Sequence, residues 1–156
     1  MNNKTIPIDW QTYFMSLAKI SSLRSKDPNT KVGAVIVNDR NRIIGLGYNG
    51  MPQGNDNLPW ARDMKNFADN KYPYVIHAEM NAILNSKANI EGTSIYTTLF
   101  PCFNCAKMIA QAGITKVYYD SNMYLDTEEG QVAFKILNDS NVKIEQLEHF
   151  EVEIRK

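Results

Sequence analysis

Two short stretches bring together side chains that could bind a metal and move a proton. They are His77-Ala78-Glu79, opening HAEMNAIL, and Pro101-Cys102-Phe103-Asn104-Cys105, inside FPCFNC. Together they contain both cysteines of the chain and one of its two histidines. Two sulfurs three residues apart at the start of a helix project to the same side, and the partly positive helix end favours their thiolate forms. Thiolates at this spacing are good zinc ligands, but zinc takes four donors. His77, which also opens a predicted helix, is the natural third, and His149 near the C-terminus is a weak fourth. With no further cysteine the fourth position falls to water, and an open zinc site is a catalytic one. Two thiolates and a neutral imidazole leave the centre with little net charge, so it acidifies water poorly. Glu79, beside His77, can take that proton instead.

Each feature alone has an ordinary explanation. A single C-x-x-C serves in structural and redox elements, an isolated histidine is more often a satisfied core residue, and an isolated Glu is usually a solvated helix residue. The joint pattern H-x-E followed by P-C-x-x-C is far more specific, and it resembles that of the zinc nucleobase deaminases, in which the Glu is acid/base and not a ligand. The chemistry expected from it is hydrolytic deamination at C4 of a cytosine ring, with Glu79 shuttling the proton.

The elements that must position these groups can be read from periodicity. Asp9 caps a helix through DWQTYFMSLAKISS, with Tyr13, Phe14, Leu17 and Ile20 at helical spacing. SKDPNT is a turn, and VGAVIVNDRNRIIGLGYN reads as a β-hairpin. Residues 50–74 form a long loop with a short helix predicted at ARDMKNFADN. HAEMNAILNSKA is a helix, SIYTTLF a strand, CFNCAKMIAQAG a helix stopped by Gly113, and ITKVYYD a strand. Asp126 followed by Glu129 resembles a capping box for the helix through AFKILNDS, and VKIEQL is a last strand. The order predicts one α/β domain over residues 1–156, with helices on both faces of a sheet that begins as an antiparallel hairpin.

The totals narrow the partners. The 156 residues carry 17 Lys and Arg against 17 Asp and Glu, so no net field favours nucleic acid or an anionic membrane. MNNKTIPIDW lacks the apolar core of a signal peptide, and no stretch approaches a membrane span, so a cytoplasmic location is expected. Thiols there stay reduced, which favours ligand or catalytic roles for Cys102 and Cys105 over a disulfide.

SLRSKDPNTKVGAVIVN, GLGYNGMPQGNDNLPW, KYPYVIHAEMNAI and LFPCFNCAKMIAQAGI resemble the deoxycytidylate (dCMP) deaminase family over nearly the whole chain. HAE and PCxxC mark the wider cytidine-deaminase-like superfamily, whereas SKDPN and GYNGMP narrow it to this family. The resemblance implies a three-layer α/β/α fold with a five-stranded mixed sheet. It implies conversion of dCMP to dUMP for thymidylate synthesis, with one catalytic Zn2+ per subunit. It also implies a hexamer activated by dCTP and inhibited by dTTP, with Mg2+ accompanying the effector triphosphate.

Arg24 and Lys26 fit a phosphate grip, although a basic pair near a helix C-terminus also complements the dipole. Asn49 is a candidate for a sugar hydroxyl, or an ordinary Asn-Gly turn residue. Ala78 and Pro101 join the substrate set, and Tyr124 either closes over the nucleotide or covers a helix end. Gly50, Met51, Pro52 and Trp60 are the candidate effector contacts, while a loop tryptophan also serves to anchor its own loop. No cysteine or histidine is spare for a second structural zinc.

Related deaminases acting on tRNA adenosine should show a basic face. Those acting on free bases or nucleosides need no phosphate-binding pair. A zinc-stabilised binding module without activity is the alternative from another class, and Glu79 in its expected place counts against it.

Overall fold

The computed structural model describes residues 3–156. Its elements run α1 (Trp10–Ser22), β1 (Gly33–Val37), β2 (Ile43–Tyr48), α2 (Ala78–Leu84), β3 (Ser94–Leu99), α3 (Phe103–Gln111), β4 (Lys116–Ser121), α4 (Glu128–Asp139) and β5 (Lys143–Gln146). The strands form one mixed sheet in the order β2-β1-β3-β4-β5, antiparallel at β2-β1 and β1-β3 and parallel from β3 to β5. The expected five-stranded layered fold is therefore present.

Central β1 shows why the chain layers. All five of its residues are buried, Ala34 and Ile36 towards one apolar cluster and Val35 and Val37 towards another. The first cluster takes in Ala82 of α2, Ala106 and Ile109 of α3, and Ala133 and Leu137 of α4, against Ile95 and Val117 of the sheet. The second packs Phe14, Met15 and Ala18 of α1 on Tyr96. Alternate residues of one strand thus feed cores on opposite faces, which is how a sheet covered by helices on both sides must be built.

The α1 stripe differs from the one read from spacing. Phe14, Met15, Ala18 and Ser21 face inward, while Tyr13 and Ile20 are exposed and Leu17 is half-buried. The apolar face is rotated because Gly33 lets the helix backbone come down on β1: a Cβ there would lie 1.8 Å from the Ala18 carbonyl oxygen. Asp9 caps the helix as expected, accepting from the Thr12 N–H at 2.9 Å.

The cap of α4 is Thr127, not Asp126. Its Oγ1 accepts from the Gly130 N–H at 3.0 Å, so the predicted capping box with Glu129 does not form. The predicted helix in residues 61–70 is reduced to a single 3-10 turn, Phe67–Asp69. Buried Asn70 captures the backbone instead, accepting from Met64 N–H and donating to the Met64 and Asn66 carbonyls, and Asp63 adopts a positive φ of 63°. Gly113, at φ 82°, follows the end of α3 as expected.

Helix α2 lies almost directly on β2. A Cβ at Gly47 would stand 2.5 Å from Ala82 N and 2.6 Å from the Ala78 carbonyl oxygen, and one at Gly45 would stand 2.4 Å from the Ala82 carbonyl oxygen. Gly47→Ala must push the helix away from the sheet. The expected result is a loss of about 1–3 kcal/mol in denaturant unfolding together with weakened zinc retention, since His77 heads the displaced helix.

The C-terminal segment returns to the α1 side, where Leu147 and Phe150 join the second cluster. His149 Nε2 lies 2.7 Å from Glu151 and its Nδ1 3.0 Å from Asp120, while Lys19 pairs with Asp120 and donates to the Phe150 carbonyl. The Glu151 and Asp120 contacts raise the His149 pKa above its usual value. A raised folded-state pKa means the charged contacts contribute fully below the unfolded value of about 6.5 and are lost as pH rises through the folded one. The Phe150 ring resonances should accordingly shift towards unpacked values as pH rises above about 6.5, and His149→Gln should remove that dependence.

Candidate active site

Both predicted metal-binding stretches are helix starts, as their spacing suggested. His77 is the N-cap of α2 and Cys102 the N-cap of α3, with Cys102 Sγ accepting from the Cys105 N–H at 3.4 Å. His77 Nδ1 lies 3.3 Å from Cys102 Sγ and 3.4 Å from Cys105 Sγ. Two donors at zinc bond lengths and a tetrahedral angle stand about 3.5 Å apart, so this donor set fits zinc. Among the described residues only His77, Cys102 and Cys105 form such a group. His149, the weak fourth candidate, is instead engaged by Asp120 and Glu151.

The electrostatics point the same way. Proximity to Cys105 draws the Cys102 pKa down to about 4, with His77 and the helix N–H adding to the effect. Cys105 is pushed up, because it shares its proton with Cys102 and is buried. The hydrogen bond to Cys102 raises His77 against the opposing effect of burial. One negative sulfur among three close donors is a cluster ready for a cation.

Glu79 stands beside this group without joining it. It is 4% exposed, and its Oε1 lies 2.7 Å from the Thr97 hydroxyl, which is itself 3.0 Å from the Leu99 carbonyl oxygen. A buried carboxylate close to the donors and held from the sheet side is a candidate proton carrier.

The group opens into a cavity of about 990 Å³ beyond the carboxyl ends of β2, β3 and β4, the usual ligand position in open α/β sheets. Asn49, Ala78, Pro101 and Tyr124 line it with His77, Glu79 and Cys102. Arg24 and Lys26 do not. They line a separate cavity of about 310 Å³ together with Gly50, Met51 and Trp60, and Lys26 pairs with Asp56 at 2.5 Å. The structure thus divides the expected substrate set, bringing Arg24 and Lys26 to the loop assigned to an effector. Pro52 lies in a 3-10 turn of that loop, next to the cavity residue Met51. Asn49 borders both cavities.

Sequence reasoning missed an ion pair in the wall of the larger cavity. Asp27, 1% exposed, accepts from Asn29 N–H at 2.8 Å and Thr30 N–H at 3.2 Å and pairs with Lys71 Nζ at 2.5 Å. Asn49 donates to the Thr30 carbonyl at 2.9 Å and towards Asp27 at 3.4 Å, and accepts from Val32 N–H at 2.9 Å. Asp27 looked like a turn residue, and nothing local marks a partner 44 residues away. Thr97 was hidden likewise inside an ordinary strand.

The region from residue 8 to residue 121 matches the family model described as the cytidine and deoxycytidylate deaminase zinc-binding region. The chain belongs to this deaminase family. It is 51% identical over 138 residues to the deoxycytidylate deaminase of Homo sapiens, covering 86% of this chain and 78% of that protein. The Mus musculus deoxycytidylate deaminase is 54% identical over 129 residues, 81% of this chain and 72% of that one. Among solved structures, the dCMP deaminase of cyanophage S-TIM5 in complex with dCMP and dUMP superposes with a TM-score of 0.73 at 32% identity, covering 92% of this chain and all of that one. Within the deaminase family assignment, His77, Cys102 and Cys105 are the residues that would hold the zinc.

Cys105→Ser should abolish stoichiometric zinc after dialysis while leaving far-UV circular dichroism largely unchanged, because α3 keeps its Cys102 cap. Metal analysis of the purified variant reads this directly, and full zinc content would remove Cys105 from the donor set.

Proposed function

We propose that this chain is a single-domain enzyme that hydrolyses dCMP to dUMP and ammonia. The observation that carries the reading is the geometry at the two helix starts. Three donors of zinc type lie within bonding range of one ion, with a buried, non-ligating Glu79 alongside them. Identity above half to deoxycytidylate deaminases supports dCMP as the substrate.

Bound zinc supplies Lewis acidity that lowers the pKa of water. Glu79 takes the proton of the attacking water, delivers it to the ring nitrogen next to C4, and then passes a proton to the departing amine. Thr97 suits a carboxylate that must be ionised and protonated in turn. Its single hydroxyl proton can point to ionised Glu79, or turn to the Leu99 carbonyl while its oxygen accepts from protonated Glu79. Asn49 Oδ1 accepts from Val32 N–H and has a second lone pair for a sugar hydroxyl, while both amide protons are already directed at the protein. Ala78 and Pro101 close around the base, and Tyr124, 45% exposed, covers it from the α4 side.

Regulation by dCTP as activator and dTTP as inhibitor is assigned to the smaller cavity, where Arg24 and Lys26 would bind triphosphate oxygens with Mg2+ and Trp60 would face the base. Placement of the basic pair beside Gly50 and Met51 supports an effector role for it in preference to the substrate role. The reading also has a mechanical route. Gly50 and Ile76 exchange backbone hydrogen bonds of 3.0 and 2.8 Å, so the loop of the smaller cavity is tied to the residue before His77. Exposed Trp10, Ile8 and Leu23 around α1 are available to a homo-oligomeric, and by family likeness hexameric, contact in the cytoplasm.

Ammonia release from zinc-loaded protein should be greatest with dCMP, lower with CMP and deoxycytidine, absent with a tRNA stem-loop, and stimulated by dCTP. Glu79→Gln should retain zinc and lose about 10²- to 10⁴-fold in kcat. Zinc bound without hydrolysis of any of these compounds by the wild-type protein would instead identify a structural zinc module.

A further inference from the structure

We propose that Arg62 receives the 5′-phosphate of the substrate and is the main source of preference for the nucleotide over the nucleoside. This rests on the dCMP reading above and extends it to a residue outside the metal and proton machinery. Two cationic side chains line the metal cavity, Arg62 and Lys71. Lys71 is already neutralised, with its ammonium 2.5 Å from Asp27 and only 10% of its side chain exposed. Among the described residues Arg62 has no hydrogen-bond or ion-pair partner. It is thus the cation in the cavity wall whose charge no other described group answers.

The backbone around Arg62 is held as a binding residue requires. Lys71 N–H donates to the Ala61 carbonyl at 2.7 Å, closing the neck of the 61–71 loop directly beside Arg62. Asn70, 5% exposed, fills the loop interior and holds Met64 through both backbone groups at 2.8 and 3.1 Å. A long side chain on a tied loop can present its guanidinium at lower entropic cost than one on a free segment. The loop forms no α-helix because Asn70 takes the hydrogen bonds, so the irregular backbone of residues 61–66 serves as a platform.

Charge restricts where a phosphate can lie. The α4 side of the cavity carries Glu128 and Glu129, which repel a dianion, and Glu79 stands at the metal end. The Arg62 side is the remaining part of the wall with an uncompensated positive charge. A guanidinium offers two parallel N–H donors to a phosphate, a match that an ammonium does not reproduce. Arg24 and Lys26 line the smaller cavity and not this one.

The test compares wild type, Arg62→Gln and Arg62→Lys, all zinc-loaded, with dCMP and deoxycytidine as separate substrates. Arg62→Gln should lower kcat/KM for dCMP on the order of 10- to 100-fold, mainly through KM, and leave deoxycytidine within about twofold. Arg62→Lys should recover part of the loss. A readout without turnover is the thermal shift given by dUMP relative to deoxyuridine: the excess shift due to the phosphate should shrink in Arg62→Gln while zinc content and ligand-free Tm stay at wild-type values. A variant that keeps the wild-type dCMP-to-deoxycytidine ratio, or loses both substrates equally, overturns the assignment to Arg62. A wild-type protein without preference for dCMP overturns the substrate reading itself, a result the wild-type arm gives before any variant is measured.

Discussion

The site depends on how closely α2 can lie on β2. At Gly45 and Gly47 the helix backbone occupies space that any side chain would fill, with hypothetical Cβ atoms 2.4–2.6 Å from Ala82 and Ala78 backbone atoms. This approach brings His77, at the head of the helix, to the carboxyl end of the sheet where β3 delivers Cys102. It also sets Glu79 on the inward face against Thr97 of β3. A helix held further out would present the same residues with the wrong separations, so two small residues in a strand govern the chemistry of a cluster they never touch.

One wall of the larger cavity is made of charges that cancel within the protein. Asp27 and Lys71 pair where almost no solvent reaches them, and the Asp27 carboxylate is further satisfied by two backbone N–H groups and directed towards Asn49. A buried ion pair contributes little net stability, but removal of either partner would leave a charge stranded, so such a wall is rigid in composition and shape. One residue, Asn49, borders both cavities.

Much of this was legible in the sequence, for physical reasons that can be named. Metal ligation needs particular atoms, and His77, Cys102 and Cys105 are scarce residue types at helix starts, so pattern and function coincide. The apolar, β-branched run in GAVIV and the turns at Gly and Pro marked the strands, and Asp9 and Gly113 marked helix ends through local chemistry. Tertiary contacts were illegible. Nothing in WQTYFMSLAKI tells that Gly33 will rotate the buried stripe onto Phe14 and Met15. Asp27 with Lys71, and Glu79 with Thr97, are pairs separated by 44 and 18 residues, and only the fold brings them together. Arg24 and Lys26 were placed beside a nucleotide by type, but the separation between two neighbouring cavities is not encoded in type.

The Asn49–Gly50 bond also exposes the protein to chemical ageing. In an Asn-Gly pair, the unhindered glycine nitrogen can attack the preceding side-chain amide, releasing ammonia and leaving Asp or its isomer; asparagine is accordingly among the thermolabile residues. The folded chain withholds both reactants: Gly50 N–H is bonded to the Ile76 carbonyl, and the Asn49 amide is fixed by Val32 and Thr30. A protein whose loop opens loses that protection. The resulting carboxylate at position 49 would face Asp27 across the gap the amide now spans at 3.4 Å, so the wall could not re-form as before. Each unfolding excursion thus carries a chance of permanent damage, and the lifetime of the molecule is linked to how tightly one β-bridge stays shut.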